Sequence, residues 1–393
     1  MATFFGNAGE NKERQERTSH VLFPAYQPAV LLSWSWVSVG STLHVIAFVL
    51  VGIHCLRTRR QATSALLWIF LAWAFPVIGA LLYLSFGINR VPYKGWRKHL
   101  RNQQFLEERR AREKEALPLA YWRTVHEALT AETEDPMLRE LDASLQPLLS
   151  DYPLLGGNRV ETLVTGDEGY PAMLDAIRQA EDHIHCQTFM LKNDSVGRQF
   201  LQLLAEKAEA GVRVRLLYDR FGSTSGVLTG LFRRCDAVPN LRVAGWTQAN
   251  PIKRQFQINL RNHRKILVVD GNRGFMGGLN LHEANVTLGN TPAIRDFHFE
   301  MQGPIVQELQ YSFLRDWYFI TDEDPEVLLS QKHFPLIDAE GEAQIRLVNS
   351  GPSRGMDVIT DVFFSTLVAA EHEILAVTPY FVPPPDIVRA FRV

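Results

Sequence analysis

Two uncharged, strongly apolar stretches dominate the first ninety residues. Ala29–Leu56 contains no Asp, Glu, Lys or Arg, and after Arg57, Arg59 and Arg60 a second such run extends from Gln61 to Asn89. Each exceeds the ~20 residues that cross a ~30 Å hydrocarbon core as helix. Helices of that length in a soluble core carry a charged face, and a cleaved signal peptide neither starts so late nor leads straight into a second apolar run. The pattern predicts a polar tail over 1–28 and transmembrane helices over 29–56 and 64–88. Trp34, Trp36, Trp68, Trp73 and Tyr83 include interface anchors, and Pro76 is tolerated where neighbouring helices satisfy the freed carbonyl.

After Pro136 the pattern changes to short apolar runs alternating with helical periods. Arg159–Thr165 reads as a strand, Tyr170–Ala180 as a helix, His183–Phe189 as a strand, Val196–Ala210 as a helix closed by Gly211, and Val212–Tyr218 as a strand. Such alternation predicts an α/β fold, a sheet with helices on both faces. A weak internal repeat is also present. Ala180–Thr188 (AEDHIHCQT) aligns with Ala370–Thr378 (AEHEILAVT), 190 residues on, each copy following an amphipathic helix and running into an aromatic strand end.

Length and charge refine this outline. A chain of 393 residues suggests two to three domains. Its net charge of −2 is unlike that of a nucleic-acid coat protein. Twelve Lys/Arg against four Asp/Glu fall within residues 57–115, so the body that follows is acidic. The basic residues flanking the hairpin, Lys12, Arg14, Arg17, Arg90, Lys94, Arg97, Lys98 and Arg101, outnumber the three in its connecting loop, which predicts a cytoplasmic body. The stretch 89–145 reads as a basic, amphipathic connector, lying either on anionic headgroups or in solvent with pairs such as Glu108 and Arg112. Cys55, Cys186 and Cys235 are too few and too scattered for a disulfide framework or a closed metal site, and they suggest a reducing compartment.

Candidate chemistry concentrates in Arg261–Asn280, RNHRKILVVDGNRGFMGGLN. His263 and Lys265 begin a strand and share one face of it. A neutral imidazole beside a fixed ammonium suits attack on a phosphodiester, because the cation neutralises the oxygens that repel a nucleophile. Asp270 ends the strand and starts a turn with Gly271-Asn272. Gly277-Gly278 opens a second turn where backbone can approach an anion, and Asn280 supplies an amide donor. Lys253, Arg254, Arg261, Arg264, Lys265 and Arg273 crowd around this segment against Asp270 alone.

The spacing His-x-Lys-x4-Asp-x6-Gly-Gly-x-Asn resembles the HKD motif of the phospholipase D superfamily. Together with the paired N-terminal spans, Tyr218-Asp219 with Gly222-Ser223, and Arg295-Asp296-Phe297-His298, the chain is similar to the bacterial cardiolipin synthase branch from about residue 29 onward. Gly278 departs from the serine of many superfamily members but matches this branch. The resemblance implies a phospholipase D-like mixed sheet flanked by helices, with a domain over 146–340 and an incomplete second repeat over 341–393. It also implies transfer of a phosphatidyl group between two phosphatidylglycerols at the bacterial inner membrane, through a phosphohistidine at His263. Lys265 and Asn280, with Gly277 and Gly278, would hold the phosphoryl oxygens, and no metal or cofactor is implied. Asp270 belongs to the motif, as support of the turn as much as chemistry. A downstream acid orients the imidazole in the superfamily. Asp296 is the candidate here, with Glu283 and Glu300 as competitors.

Superfamily members use two such motifs, and this sequence contains one. The 190-residue offset places a second beyond Val393, so the sequence reads as truncated and a homo-oligomer is one source of the missing histidine. The expected partners are anionic phospholipid and the bilayer, with no nucleic acid. Alternative functions are a phospholipase D-type hydrolase, a one-motif nuclease, or an inactive membrane protein.

Overall fold

The computed structural model describes residues 28–57, 62–87, 100–109, 111, 136–149, 152–233, 235–246, 261–350 and 358–392. The tail over 1–27 and the charges Arg90, Lys94, Arg97, Lys98, Arg112, Lys253 and Arg254 lie outside them. The chain divides into a unit of residues 1–89 and one of residues 90–393.

In the first unit, one continuous helix covers Pro28–Arg57, long and apolar enough from Val39 on to cross a membrane. The run expected as a second span is interrupted. A helix over Ala62–Ala74 stops before Pro76, Val77 takes a φ of 64°, and Ile78–Leu82 resumes before a π-turn over Tyr83–Gly87. Proline lacks an N–H and clashes with the preceding turn, which accounts for the break. Val51, Cys55, Ala65, Ala72 and Tyr83 pack between the two arms, while Leu43, Ile46, Leu50, Leu66, Phe70 and Trp73 are exposed. That apolar exterior is what a lipid environment requires and water penalises.

The second unit is built on an eight-stranded mixed sheet in the order β4-β3-β2-β5-β6-β7-β1-β8. Its strands are β1 Leu154–Val164, β2 His183–Thr188, β3 Arg213–Asp219, β4 Leu241–Trp246, β5 Ile266–Val269, β6 Arg273–Gly277, β7 Phe297–Gln302 and β8 Ala343–Arg346. The strands β2, β3 and β4 run parallel, and the other pairings are antiparallel. The helices Thr165–Gln179 and Ser195–Glu209 cover one face, and Ile305–Thr321 covers the other. Period-two alternation sets which side chain goes where. Leu267 and Val269 join the first core, while Ile266 and Val268 join the second.

Two expectations change. Helix 100–109, expected on headgroups or in solvent, has a further partner, for it packs one face against Ile305–Thr321 while Gln103, Gln104, Glu107 and Glu108 remain exposed. Phe105 is buried with Trp317, Arg101 donates to the Phe319 and Tyr318 carbonyls, and Arg109 pairs with Glu308 at 2.7 Å. Its basic residues serve the body's own helix. Secondly, Ile374–Tyr380, expected as the second repeat's strand, is irregular, with Leu375 and Val377 exposed. No described strand pairs with it, and strand propensity without a neighbour does not make a strand. The segment expected to open a second repeat joins the sheet: β8 pairs antiparallel with β1, and Leu155 lies opposite Ile345, the position 190 residues further on.

Asp270 sits at the far end of β5 from His263 and Lys265. Its φ of 51° is left-handed, a conformation aspartate tolerates better than most residues. Its carboxylate accepts the backbone N–H groups of Glu181, Asp182 and His183, each at 2.8 Å, where the chain enters β2. It welds the β5–β6 turn to the next strand. Asp270→Ala leaves three donors without this acceptor and should lower unfolding free energy by on the order of 3 kcal/mol, measured by denaturant titration.

Facing the Ile305–Thr321 helix, β2 and β3 carry a buried polar cluster. His183, His185 and His333 are fully buried with Gln310 and nearly buried Arg215. Arg215 donates to Nε2 of His185 and His333, and Gln310 Nε2 donates to His183 Nε2. The other ring nitrogens then donate to Gln310 Oε1, the Leu328 carbonyl and Asp182. One set of neutral tautomers satisfies all three rings. Burial pushes His183 down to about 4, His333 to about 3, and His185 well below the ordinary value. The unfolded chain therefore binds protons from pH ~6.5 downward that the folded chain refuses until near pH 4. Stability is fully present above pH ~6.5 and is lost as pH falls below it, by up to ~4 kcal/mol per pH unit when all three act together. The melting temperature of the full chain, followed by circular dichroism, should drop steeply between pH 6.5 and 4.5, and a flat profile would contradict this arrangement.

Candidate active site

The ends of five strands converge at the edge of the sheet opposite Asp270. The strands β2 and β3 finish there at Thr188 and Asp219, β6 finishes at Gly277, and β5 and β7 begin there at Ile266 and Phe297. His263 and Lys265 lie in the extended segment 261–265 just before β5, not in the strand itself. With no ladder bonds, that segment takes its shape from two buried carboxylates. Asp219 Oδ2 accepts the Asn262 N–H at 3.2 Å, and its Oδ1 closes the following loop by accepting from Phe221 and Gly222. Asp316, on the inner face of Ile305–Thr321, accepts from the Asn262 amide, Gln187 and the Arg264 guanidinium. Every second residue of the segment is thus pinned, and His263 is left exposed between them.

Lys265 is 5% exposed. Its Nζ donates to the His263 carbonyl at 2.8 Å and lies 3.1 and 3.2 Å from the two ring nitrogens. Phe189 covers the imidazole at a ring separation of 4.7 Å. Burial and the Lys265 charge lower the His263 pKa, while Asp219 and Asp296 pull it back up. Burial lowers Lys265 to about 8, opposed by Asp296. Near neutral pH the pair is therefore an uncharged imidazole beside an ammonium.

The other sequence candidates separate into two groups. Asn280 is held beside Met190, the neighbour of the Phe189 that covers His263. Its Oδ1 accepts the Met190 N–H at 3.2 Å and its carbonyl accepts from Tyr170, so the amide is oriented with its NH₂ as the remaining donor. Asp296 precedes β7 and acts on both His263 and Lys265 as a nearby negative charge, with its Oδ1 anchored by the Phe297 N–H. Its competitors are occupied elsewhere: Glu300 bonds Arg273 at 2.6 Å, and Glu283 accepts from the Ser195 N–H. Asp270, ~17 Å along the strand from Lys265, is not part of this cluster.

Gly277 and Gly278 do not form the expected anion-binding turn. Gly277 ends β6, and Gly278 donates its N–H to the Phe297 carbonyl. Glycine is required there by the close approach of β7. A Cβ on Gly277 would stand 2.7 Å from His298 Nδ1, and one on Gly278 would collide with the Asp296 carboxylate. The glycine that departs from the common serine makes room for the acid. Asp316 has only a faint signal in the sequence, an aspartate beside Arg315 in the largely apolar run SFLRDWYFI.

Known proteins share this organisation. A family model described as "Cardiolipin synthase, PLD-like domain" matches residues 173–317, and one described as "Phospholipase D-nuclease N-terminal" matches residues 46–87. The cardiolipin synthase of Geobacillus kaustophilus is 32% identical over 363 residues, covering 90% of this chain and 68% of that protein. Cardiolipin synthase A of Pseudomonas aeruginosa is 34% identical over 358 residues, covering 89% and 68%. Among solved structures, phosphatidylserine synthase of Haemophilus influenzae Rd KW20 aligns at 12% identity with a TM-score of 0.45, over 64% of this chain and 63% of that one. Identity of this order sustained over nine-tenths of the sequence shows that the chain belongs to the cardiolipin synthase family, phosphatidyltransferases of the phospholipase D superfamily.

Proposed function

We propose that the chain transfers a phosphatidyl group from one phosphatidylglycerol to another through a phosphohistidine at His263. The observation that carries this reading is the Lys265 ammonium held within about 3 Å of an exposed imidazole whose own pKa is depressed. A ring nitrogen of His263 attacks phosphorus, and the bond to the glycerol oxygen breaks. The hydroxyl of the second phosphatidylglycerol then attacks, gives its proton to the group that protonated the departing glycerol, and displaces the histidine to give cardiolipin. Lys265 and the Asn280 amide draw charge from the phosphoryl oxygens as it builds. Asp296 stabilises the ring when it becomes cationic.

The glycerol alkoxide needs a proton as it leaves. An equivalent histidine, from a symmetric copy of the domain over 146–340, is the natural donor. The β1–β8 pairing supports this source, because Leu155 opposite Ile345 relates the openings of the two repeats by a local two-fold. The two apolar runs, 29–56 and 64–88, make two membrane passes, and the excess of flanking positive charge favours the enzymatic unit on the cytoplasmic side, where anionic headgroups supply substrate.

The test uses bilayers with labelled phosphatidylglycerol. His263→Ala should lose transfer by ~10²–10⁴-fold or more, together with the acid-labile phosphorylated adduct that wild type accumulates during turnover. Phosphatidic acid in place of cardiolipin would favour hydrolysis, with water as acceptor. Equal turnover by wild type and His263→Ala would defeat the mechanism. A second expectation concerns pH: kcat/KM should fall as pH rises through about 8, where Lys265 loses its proton, and Lys265→Met should be slow with that limb absent.

A further inference from the structure

A second imidazole lies beside the site and takes no part in the scheme above. His298 on β7 pairs with Gly277 on β6 and is 1% exposed. Among the described residues, neither of its ring nitrogens meets a protein hydrogen-bond partner, and the same holds for the nearby Gln187 Oε1. A neutral imidazole has one donor and one acceptor, and leaving both unmet in a protein interior is costly. His298 borders a cavity of about 10 Å³ whose other polar neighbours are Lys265, Gln187 and Thr188, with apolar side chains forming the rest of its wall. That volume suits a single water molecule, and the surrounding groups offer it donors and acceptors.

We infer that one ordered water in this cavity bridges His298 to Lys265, which makes His298 the positioning residue for the lysine ammonium. The inference rests on the role given to Lys265 in the proposed function. An ammonium has three donors. One is fixed on the His263 carbonyl, a second lies toward the His263 imidazole and the incoming phosphoryl oxygen, and the water takes the third. Burial, helped by the Lys265 charge, pushes His298 down to about 4, so near neutral pH it remains an acceptor and adds no positive charge. The titratable groups facing Lys265 are His263 on its own segment, Asp296 and His298 from β7, and Cys186 from β2, whose thiol is driven up to about 12 by burial and stays uncharged. Without the His298–water bridge, the ammonium loses an acceptor that its charged form needs, and its proton should leave at lower pH.

The test follows the Lys265 side chain directly in the full chain, in detergent micelles, with lysine labelled by carbon-13 at Cε. The Lys265 resonance is assigned by its loss in Lys265→Arg. His298→Leu should lower the Lys265 pKa by about one pH unit, and His298→Asn, which keeps an acceptor, should recover at least half of that shift. A purely structural role would leave the titration unmoved, so identical values in wild type and His298→Leu would overturn the inference. If His298→Leu does not fold, a crystallographic map of the wild-type chain decides. One water within ~3.2 Å of both Nζ and a His298 nitrogen supports the bridge, and a cavity without it overturns the bridge. Phosphatidyl transfer assayed on the same samples separates the two readings. Full activity in His263→Ala would defeat the proposed function while the Lys265 titration would still report on His298.

Discussion

Residues 261–265 carry the candidate pair His263 and Lys265 yet make no strand bonds, so side chains from elsewhere must hold their backbone. Asp316 and Asp219 do this from opposite sides. Asp316 is anchored in the longest helix of the second unit and gathers Asn262, Arg264 and Gln187 on one oxygen. Asp219 ends the parallel strand β3 and fixes the Asn262 N–H. A buried carboxylate is costly to desolvate unless its acceptor sites are filled, and here they are filled by the segment that needs to be rigid. Replacing either partner would leave an uncompensated charge in the core, so the arrangement resists gradual loosening.

The electrostatics of the pair follow from that rigidity. Left in solvent, His263 and Lys265 would drift apart, and the lysine would stay charged to high pH. Held together and partly dried, each is made easier to deprotonate by burial, and at His263 the Lys265 charge adds to that effect. Unchecked, this would also neutralise the ammonium. Asp296 works against it at both residues, and its carboxylate occupies the space that a Cβ at position 278 would take. The glycine, the acid and the lysine are thus one device, assembled from β6, β7 and the approach to β5.

Local pattern carried much of the fold. The helix and strand alternation from 154 to 219 was legible because each element has its own period and its own stops, and the structure matches it to within a few residues. His263, Lys265 and Asn280 were legible as a group because their spacing is local. Asp316 and Asp219 were not, since their partners lie 43 to 54 residues away along the chain. His183, His185 and His333 escaped notice for the same reason: each looks like an ordinary core histidine until the fold brings the rings within about 5 Å of one another. The Ile374–Tyr380 run was misread because its composition is that of a strand, while pairing depends on neighbours that a propensity cannot supply. Helix 100–109 has a packing face that its charge conceals, a single buried phenylalanine opposite exposed Glu107 and Glu108.

The same reasoning explains why Asp270 shares a motif with residues it never approaches. The strand β5 is four residues long, and Lys265 and Asp270 are its two boundaries, so x4 in the motif is the length of the strand. The next six residues make the turn and return along β6 to Gly277, and Asn280 follows three residues beyond, at the same end of the sheet. The spacing is therefore the outline of one hairpin, with chemistry at its open end and a structural weld at its closed end. Shortening or lengthening either arm by one residue would turn every side chain beyond that point to the opposite face. Asp270 prevents such a slip by tying the closed end to the backbone entering β2, and in doing so it fixes how far the imidazole projects at the other end.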